Sequence, residues 1–222
     1  MTGDLFGELE TPDGPRVLAE GAVVLHGFAR ILAPACLAAV NEITSGAPFR
    51  HMVTPGGFRM SVAMSNCGAL GWVSDVDGYR YSRLDPASGR PWPAMPEVFS
   101  RLAREAAAAA GFPGFAPDAC LINRYEAGAK LSLHQDLDEG DLDAPIVSVS
   151  LGWPAIFLFG GLKRRDPTMR IALTQGDIVV WGGPSRLRYH AVLPVKAGND
   201  PAGVDCRINL SFRKAGPVDR VG

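Results

Sequence analysis

The chain has 222 residues, and its 22 Lys and Arg against 23 Asp and Glu leave a formal net charge of −1. Hydrophobic residues make up 47%, a globular composition on a chain long enough to bury one sizeable core. The charge balance argues against a protein that grips long duplex nucleic acid by bulk positive charge, so any such contact must rest on a local patch.

Residues 1–16, rich in Gly, Pro and acids, are expected to form a loose terminus, and they show no secretory signal. Pro34 and the residues after it predict a helix over Ala35–Ser45. Pro96 and Gly111 bracket a second helix over Pro96–Ala110. Between them, residues 48–93 are dense in Gly, Pro, aromatic and Met residues and read as short strands and loops. From Asp118 the pattern becomes repeated strands: Cys120–Tyr125, Ile146–Leu151, Ala155–Phe159, Arg170–Leu173, Asp177–Trp181, Arg188–Pro194 and Cys206–Arg213. Strands at that spacing predict a mainly β (α+β) protein built on a β-sandwich or jelly roll, with the helices on an outer face of one sheet. No apolar run is long enough to span a bilayer. Cys36, Cys67, Cys120 and Cys206 are scattered without a CxxC pair, as expected of thiols in a reducing cytoplasm. Lys163-Arg164-Arg165 with Arg170, and Arg186 with Arg188, are the candidate basic patches, each otherwise a solvated loop.

His134-Gln135-Asp136 has the form His-x-Asp. On extended backbone both side chains point the same way and can reach one metal. His190, in a late strand, can fold back onto the pair. Two imidazoles and a carboxylate on one face, with open positions opposite, make the facial triad of non-haem Fe(II) oxygenases. His26 and His51 lack such partners and are read as structural or surface residues.

In Arg207-Ile208-Asn209-Leu210-Ser211-Phe212-Arg213, alternation puts Ile208, Leu210 and Phe212 on one face and Arg207, Asn209, Ser211 and Arg213 on the other. If the polar face lines the interior, its arginines need an anion. 2-Oxoglutarate can chelate iron through its 1-carboxylate and keto oxygen and present its far carboxylate to an arginine. Arg207 and Arg213 stand roughly 20 Å apart on an ideal strand, so both serve one diacid only if they converge or the strand curves. Asn123 and Tyr125, which share a face, could add hydrogen bonds.

Longer segments carry a resemblance: MVTPGGFRMSVAMSNCGALGW (52–72), PWPAMP (91–96), DACLINRYEAGAKLSLHQD (118–136), APIVSVSLGWPAIFLFGGLKR (144–164), GDIVVWGGPSRLRYH (176–190) and DCRINLSFR (205–213). Over about residues 17–216 the chain resembles the AlkB family of Fe(II)- and 2-oxoglutarate-dependent DNA-alkylation repair dioxygenases. The resemblance implies a single dioxygenase domain over 17–216. Its double-stranded β-helix (jelly-roll) core would span about 118–214, with flanking helices and a nucleotide-recognition lid at about 48–93. It implies His134, Asp136 and His190 as iron ligands, and Arg207 and Arg213 on 2-oxoglutarate with Asn123, Tyr125 and Asn209 in support. Trp72 would stack on the flipped base opposite His134, and Asp138 would face the exocyclic amine. Thr54, Tyr79 and Arg164 would contact the strand, and Met64 would pack by the pocket. The cofactor and cosubstrates would be Fe(II), 2-oxoglutarate and O2.

The implied reaction is oxidative demethylation of bases such as 1-methyladenine and 3-methylcytosine in DNA, single-stranded by preference, with RNA also in view. The expected protein is a cytoplasmic monomer with no membrane and no obligatory protein partner. Leu137 replaces a lysine of the family and Asp75 a basic or neutral residue, and both changes remove positive charge near the groove. Two other readings compete: an Fe(II)/2-oxoglutarate hydroxylase of a protein or small molecule, and a non-catalytic jelly-roll module holding Zn²⁺.

Overall fold

The computed structural model describes residues 15–198 and 203–216. In chain order these form β1 (Pro15–Ala19), β2 (Ala22–Leu25), α1 (Ala33–Gly46), β3 (Arg50–Val53), β4 (Arg59–Gly68), β5 (Gly71–Asp75) and β6 (Gly78–Ser82). Then come α2 (Glu97–Ala109), β7 (Ala119–Tyr125), β8 (Leu131–His134), β9 (Ile146–Gly152), β10 (Ala155–Phe159), β11 (Met169–Leu173), β12 (Ile178–Trp181), β13 (His190–Val192) and β14 (Arg207–Arg213). An eight-stranded sheet runs β1-β2-β12-β9-β14-β7-β4-β3, a four-stranded sheet runs β11-β10-β13-β8, and β5 and β6 form a separate hairpin. Every pairing within these sheets is antiparallel.

Period-two alternation divides the large sheet between two cores. Ile208, Leu210 and Phe212 of β14, Cys120 and Ile122 of β7, and Ile178 and Val180 of β12 face the helices. Leu121 and Tyr125 of β7, with Val179 and Trp181 of β12, face the small sheet and meet Phe157 and Phe159 of β10. Helix α1 buries Ala33, Cys36, Val40 and Ile43, and α2 buries Phe99, Leu102, Ala103 and Ala106. That i, i+3, i+4 spacing makes one apolar stripe per helix. The Phe99 and Phe212 rings meet edge to face with centroids 5.7 Å apart. Truncating the fully buried Phe212 would cost about 3–5 kcal/mol.

The two-sheet jelly roll with helices outside one sheet is the expected architecture. Several boundaries differ. Pro15 and Arg16, assigned to a loose terminus, open β1, which pairs with β2; residues 1–14 lie outside the described residues. Helix α1 starts at Ala33, so Pro34 falls within its first turn, where a missing N–H is harmless. The strand expected at Arg188–Pro194 is only His190–Val192, because Arg188 belongs to the turn after Gly183–Ser185. Strands β3 and β4 are part of the large sheet itself. No helix of the described residues is long and apolar enough to cross a membrane.

Candidate active site

His134 ends β8 and His190 opens β13, and the two are register partners. This cross-strand pairing sets their rings 4.3 Å apart. Asp136 lies two residues past His134. Its Oδ1 is 3.7 Å from His134 Nε2, and its Oδ2 is 3.8 Å from His190 Nε2. One ligand atom from each residue falls within 4.8 Å of the others. Each imidazole Nδ1 faces a backbone carbonyl, Ser132 O at 2.7 Å and Arg188 O at 3.0 Å. A carbonyl only accepts, so Nδ1 carries the proton and both Nε2 lone pairs turn toward Asp136. This arrangement fixes imidazole ligands for a metal.

Electrostatics keep the group ready for a cation. Burial, then the neighbouring His134, push the His190 imidazole down to about 4, which leaves it neutral. Burial alone would raise the Asp136 carboxyl, but the Arg213 guanidinium, then His190 and His134, outweigh it and hold it well below the usual carboxylate range. Arg213 donates from Nε (3.0 Å) and Nη2 (2.7 Å) to Asp136 Oδ2. The pairing raises the guanidinium's own pKa against the effect of burial.

The polar face of β14 lines a cavity of about 690 Å³ with Asn123, Tyr125 and Ser148. Arg207, 1% exposed, donates from Nη2 to Ser150 Oγ at 3.1 Å and lies over the Tyr125 ring at 4.8 Å. Its Nε and Nη1, and Asn123 Oδ1, are buried without a hydrogen-bond partner among the described residues. A buried guanidinium with two idle donor nitrogens is costly until an anion enters. This orphaned fork, at the end of β14 away from the triad, fits the far carboxylate of a diacid bound at the triad. Asn209 is engaged with Ser148 Oγ and Val149 O, and so shapes the cavity floor.

The mouth carries the remaining predicted residues. Thr54, Met64, Trp72, Tyr79, Asp138 and Arg164 all line the cavity. Trp72 and Tyr79 stack with centroids 5.6 Å apart, and Trp72 Nε1 donates to Asp138 Oδ2 at 2.8 Å. Thr54 Oγ1 accepts from Phe58 N, Met64 is buried at 2% exposure, and Arg164 lies 6.0 Å over Tyr189. Lys163, Arg164, Arg165 and Arg170 are exposed, as a binding patch requires.

Arg186 and Arg188 correct the second candidate patch. Arg186 is 3% exposed and donates to Ala144 O, Asp136 O and Glu139 Oε2. Arg188 donates to Ser185 Oγ and Gly160 O and stacks on Phe159. Both hold the protein together. The turn before them needs glycine: a Cβ on Gly182 would meet the Phe112 ring at 2.8 Å. His26 lies 3.4 Å from buried Asp177, and His51 meets Met60 O at 2.9 Å, both structural as read. Asp75 is gripped twice by Arg80, at 2.8 and 2.7 Å, which offsets its charge on the exposed hairpin.

Sequence reasoning passed over Glu139, Tyr81 and Trp181. Glu139 and Trp181 line the cavity, and the Tyr81 phenol donates to Glu139 Oε1. Glu139 lies in the acidic run Asp136–Asp141, and Tyr81 shares a hairpin face with its register partner Trp72, where nothing local marks its phenol as reaching Glu139.

A two-sheet jelly roll carrying a His-Asp-His group beside a buried, half-satisfied arginine defines an iron- and 2-oxoglutarate-dependent oxygenase. Residues 21–213 match the 2OG-Fe(II) oxygenase superfamily, and the chain belongs to it. Its cofactor and cosubstrates are accordingly Fe(II), 2-oxoglutarate and O2. The chain is 60% identical to the alpha-ketoglutarate-dependent dioxygenase AlkB of Escherichia coli (strain K12), over 96% of this chain and 98% of that one. It is 38% identical to the nucleic acid dioxygenase ALKBH1 of Mus musculus, over 55% of this chain and 31% of that one. The solved structure of OsALKBH1 superposes with a TM-score of 0.76 at 28% identity, covering 90% of this chain and 100% of that one.

Proposed function

We propose that the protein removes alkyl groups oxidatively from damaged nucleic-acid bases such as 1-methyladenine and 3-methylcytosine, in DNA with a single-stranded preference and also in RNA. The observation that carries this reading is the mouth. An indole, a phenol ring and a carboxylate stand over the triad in one cavity, which suits a flat, cationic base. The relatives support it: AlkB of Escherichia coli is a dioxygenase, and ALKBH1 of Mus musculus acts on nucleic acid.

His134, Asp136 and His190 would hold Fe(II). Arg207, with Tyr125, Asn123 and Asn209 around it, would hold the far carboxylate of 2-oxoglutarate. With O2 as oxidant, the metal and 2-oxoglutarate would supply hydroxylation of an unactivated C–H bond, one oxygen atom passing into succinate as 2-oxoglutarate loses CO2 and the other to the methyl carbon, which leaves as formaldehyde. The rest is done by the chain. A methylated pairing edge weakens base pairing and lowers the cost of turning the base out. Trp72, braced by Tyr79 and Asp138, stacks on one face of that base while the His134 ring closes the other. The second oxygen of Asp138 accepts from the exocyclic amine and favours the cationic lesion over a neutral base. Thr54, Tyr79 and Arg164 at the rim position the strand, and Met64 sets the apolar wall. Within the segment 48–93, β3 and β4 extend the large sheet and the β5–β6 hairpin acts as the recognition lid over the 118–214 core, and the protein works as a cytoplasmic monomer.

Formaldehyde release tests the reading. With Fe(II) and 2-oxoglutarate present, methylated single strands should release it faster than methylated duplex, with methylated RNA also a substrate. 2-Oxoglutarate turnover that no methylated oligonucleotide stimulates would favour the protein or small-molecule hydroxylase instead.

A further inference from the structure

Glu139 is a buried carboxylate, 3% exposed at its side chain, that three elements reach at once. Tyr81 OH, on the β5–β6 hairpin, donates to its Oε1 at 2.8 Å. Arg213 Nε, on β14, reaches the same oxygen at 3.2 Å. Arg186 Nη2, from the turn between β12 and β13, donates to its Oε2 at 3.0 Å. The two arginines also hold Asp136. Arg213 binds its Oδ2, and Arg186 Nη1 donates to its backbone carbonyl at 3.0 Å. Two carboxylates and two guanidiniums thus form a formally neutral buried cluster around a metal ligand. Buried ion clusters seldom beat apolar packing for stability alone, so a role in fixing geometry is the better account.

Trp72 and Tyr81 are register partners on the hairpin. Trp72 grips Asp138, and Tyr81 grips the next residue, Glu139. Both bonds end within three residues of Asp136, so the hairpin cannot shift without disturbing that loop. We propose that Glu139 is a positioning residue that couples the β5–β6 hairpin to the metal ligand Asp136, through Tyr81 on one side and Arg213 and Arg186 on the other. This rests on the metal site assigned above. With Glu139 in place, Arg213 divides its charge between two carboxylates, and Asp136 Oδ1 stays available. If the hairpin lifts, Arg213 turns more fully to Asp136 and competes with a metal for it. Metal binding and hairpin order therefore favour one another, and the coupling is reciprocal.

The test uses the full chain with Co(II) as probe, followed by its visible absorption, and hydrogen exchange of amides 71–82 with and without the metal. Wild type should bind Co(II), and the metal should slow hairpin exchange about fivefold or more, a usual coupling strength. Tyr81→Phe should lose that slowing and, by reciprocity, the same factor in Co(II) affinity. Glu139→Gln should lose the slowing and bind Co(II) about 10–100-fold more weakly, as supporting partners of metal ligands do. Should Glu139→Gln fail to fold, Tyr81→Phe, which removes one hydroxyl, carries the test. Metal-induced slowing that persists in the folded variants, or unchanged Co(II) affinity, would overturn the coupling while leaving the site standing. No Co(II) binding by wild type would overturn the site, and the coupling with it.

Discussion

Arg207 and Arg213 point from the same face of one strand but serve opposite ends of the cavity. Arg213 is shared between Asp136 Oδ2, at 2.7 Å, and Glu139 Oε1, at 3.2 Å, whereas Arg207 keeps two buried donor nitrogens, Nε and Nη1, without a partner among the described residues. Both guanidiniums line the one cavity, so on the proposed reading Arg207 would take the far carboxylate of 2-oxoglutarate while Arg213 would act at the metal end, beside Asp136.

Arg207→Ala should therefore weaken 2-oxoglutarate binding by about 10–150-fold, the loss of a charged hydrogen-bond set worth about 1.5–3 kcal/mol. Co(II) affinity should stay near wild type, since Arg207 touches none of the three ligands. Calorimetry with each ligand separates the two effects. An equal loss of metal affinity would show that Arg207 supports the triad.

Asp138→Ala should lower demethylation at least tenfold and blunt the preference for cationic over neutral lesions. It should leave metal binding largely intact, because Asp138 touches none of the triad and the Tyr81–Glu139 bond still ties the hairpin to the loop. Metal titration beside turnover on 1-methyladenine and 1-methylguanine oligonucleotides checks this. Lost metal would reassign Asp138 to holding the loop.

Much of this site was legible in the sequence because it lies on regular strands. Alternation alone placed Arg207, Asn209, Ser211 and Arg213 on one side of β14, and the i, i+2 spacing brought His134 and Asp136 together. What stayed hidden depends on irregular chain or distant pairing. Arg186 and Arg188 read as surface charge because nothing local shows that the turn at Gly182–Pro184 folds them inward. Glu139 looked like one acid among several, since its partners come from residues 81, 186 and 213. Strand β1 pairs through β2 with β12, far along the chain, and its own composition resembles a loose terminus.

Leu137, 56% exposed at the cavity, offers a test of strand affinity. Leu137→Lys adds one cation where phosphate would pass. The log–log salt dependence of single-strand binding should steepen by about 0.7, and affinity at low salt should rise several-fold. Fluorescence anisotropy across a salt series reads both. An unchanged slope would place the strand elsewhere.

His190, held near 4 by burial and by His134, gives a pH signature. A free histidine titrates near 6.5, so between these values the unfolded chain binds more protons than the folded one. Its contribution is fully present above about pH 6.5 and is lost as pH falls toward 4. The melting temperature of the metal-free protein should decline across that window, and His190→Gln should decline less steeply. Parallel profiles would argue against a buried neutral imidazole.

The central claim is tested most directly on a short single-stranded oligonucleotide carrying one 1-methyladenine. The protein is incubated anaerobically with Fe(II) and 2-oxoglutarate, air is admitted, and the oligonucleotide mass is followed. The account predicts loss of one methyl group by wild type and none by His134→Ala. An unchanged mass while succinate still forms would contradict it, leaving an oxygenase whose substrate is something else.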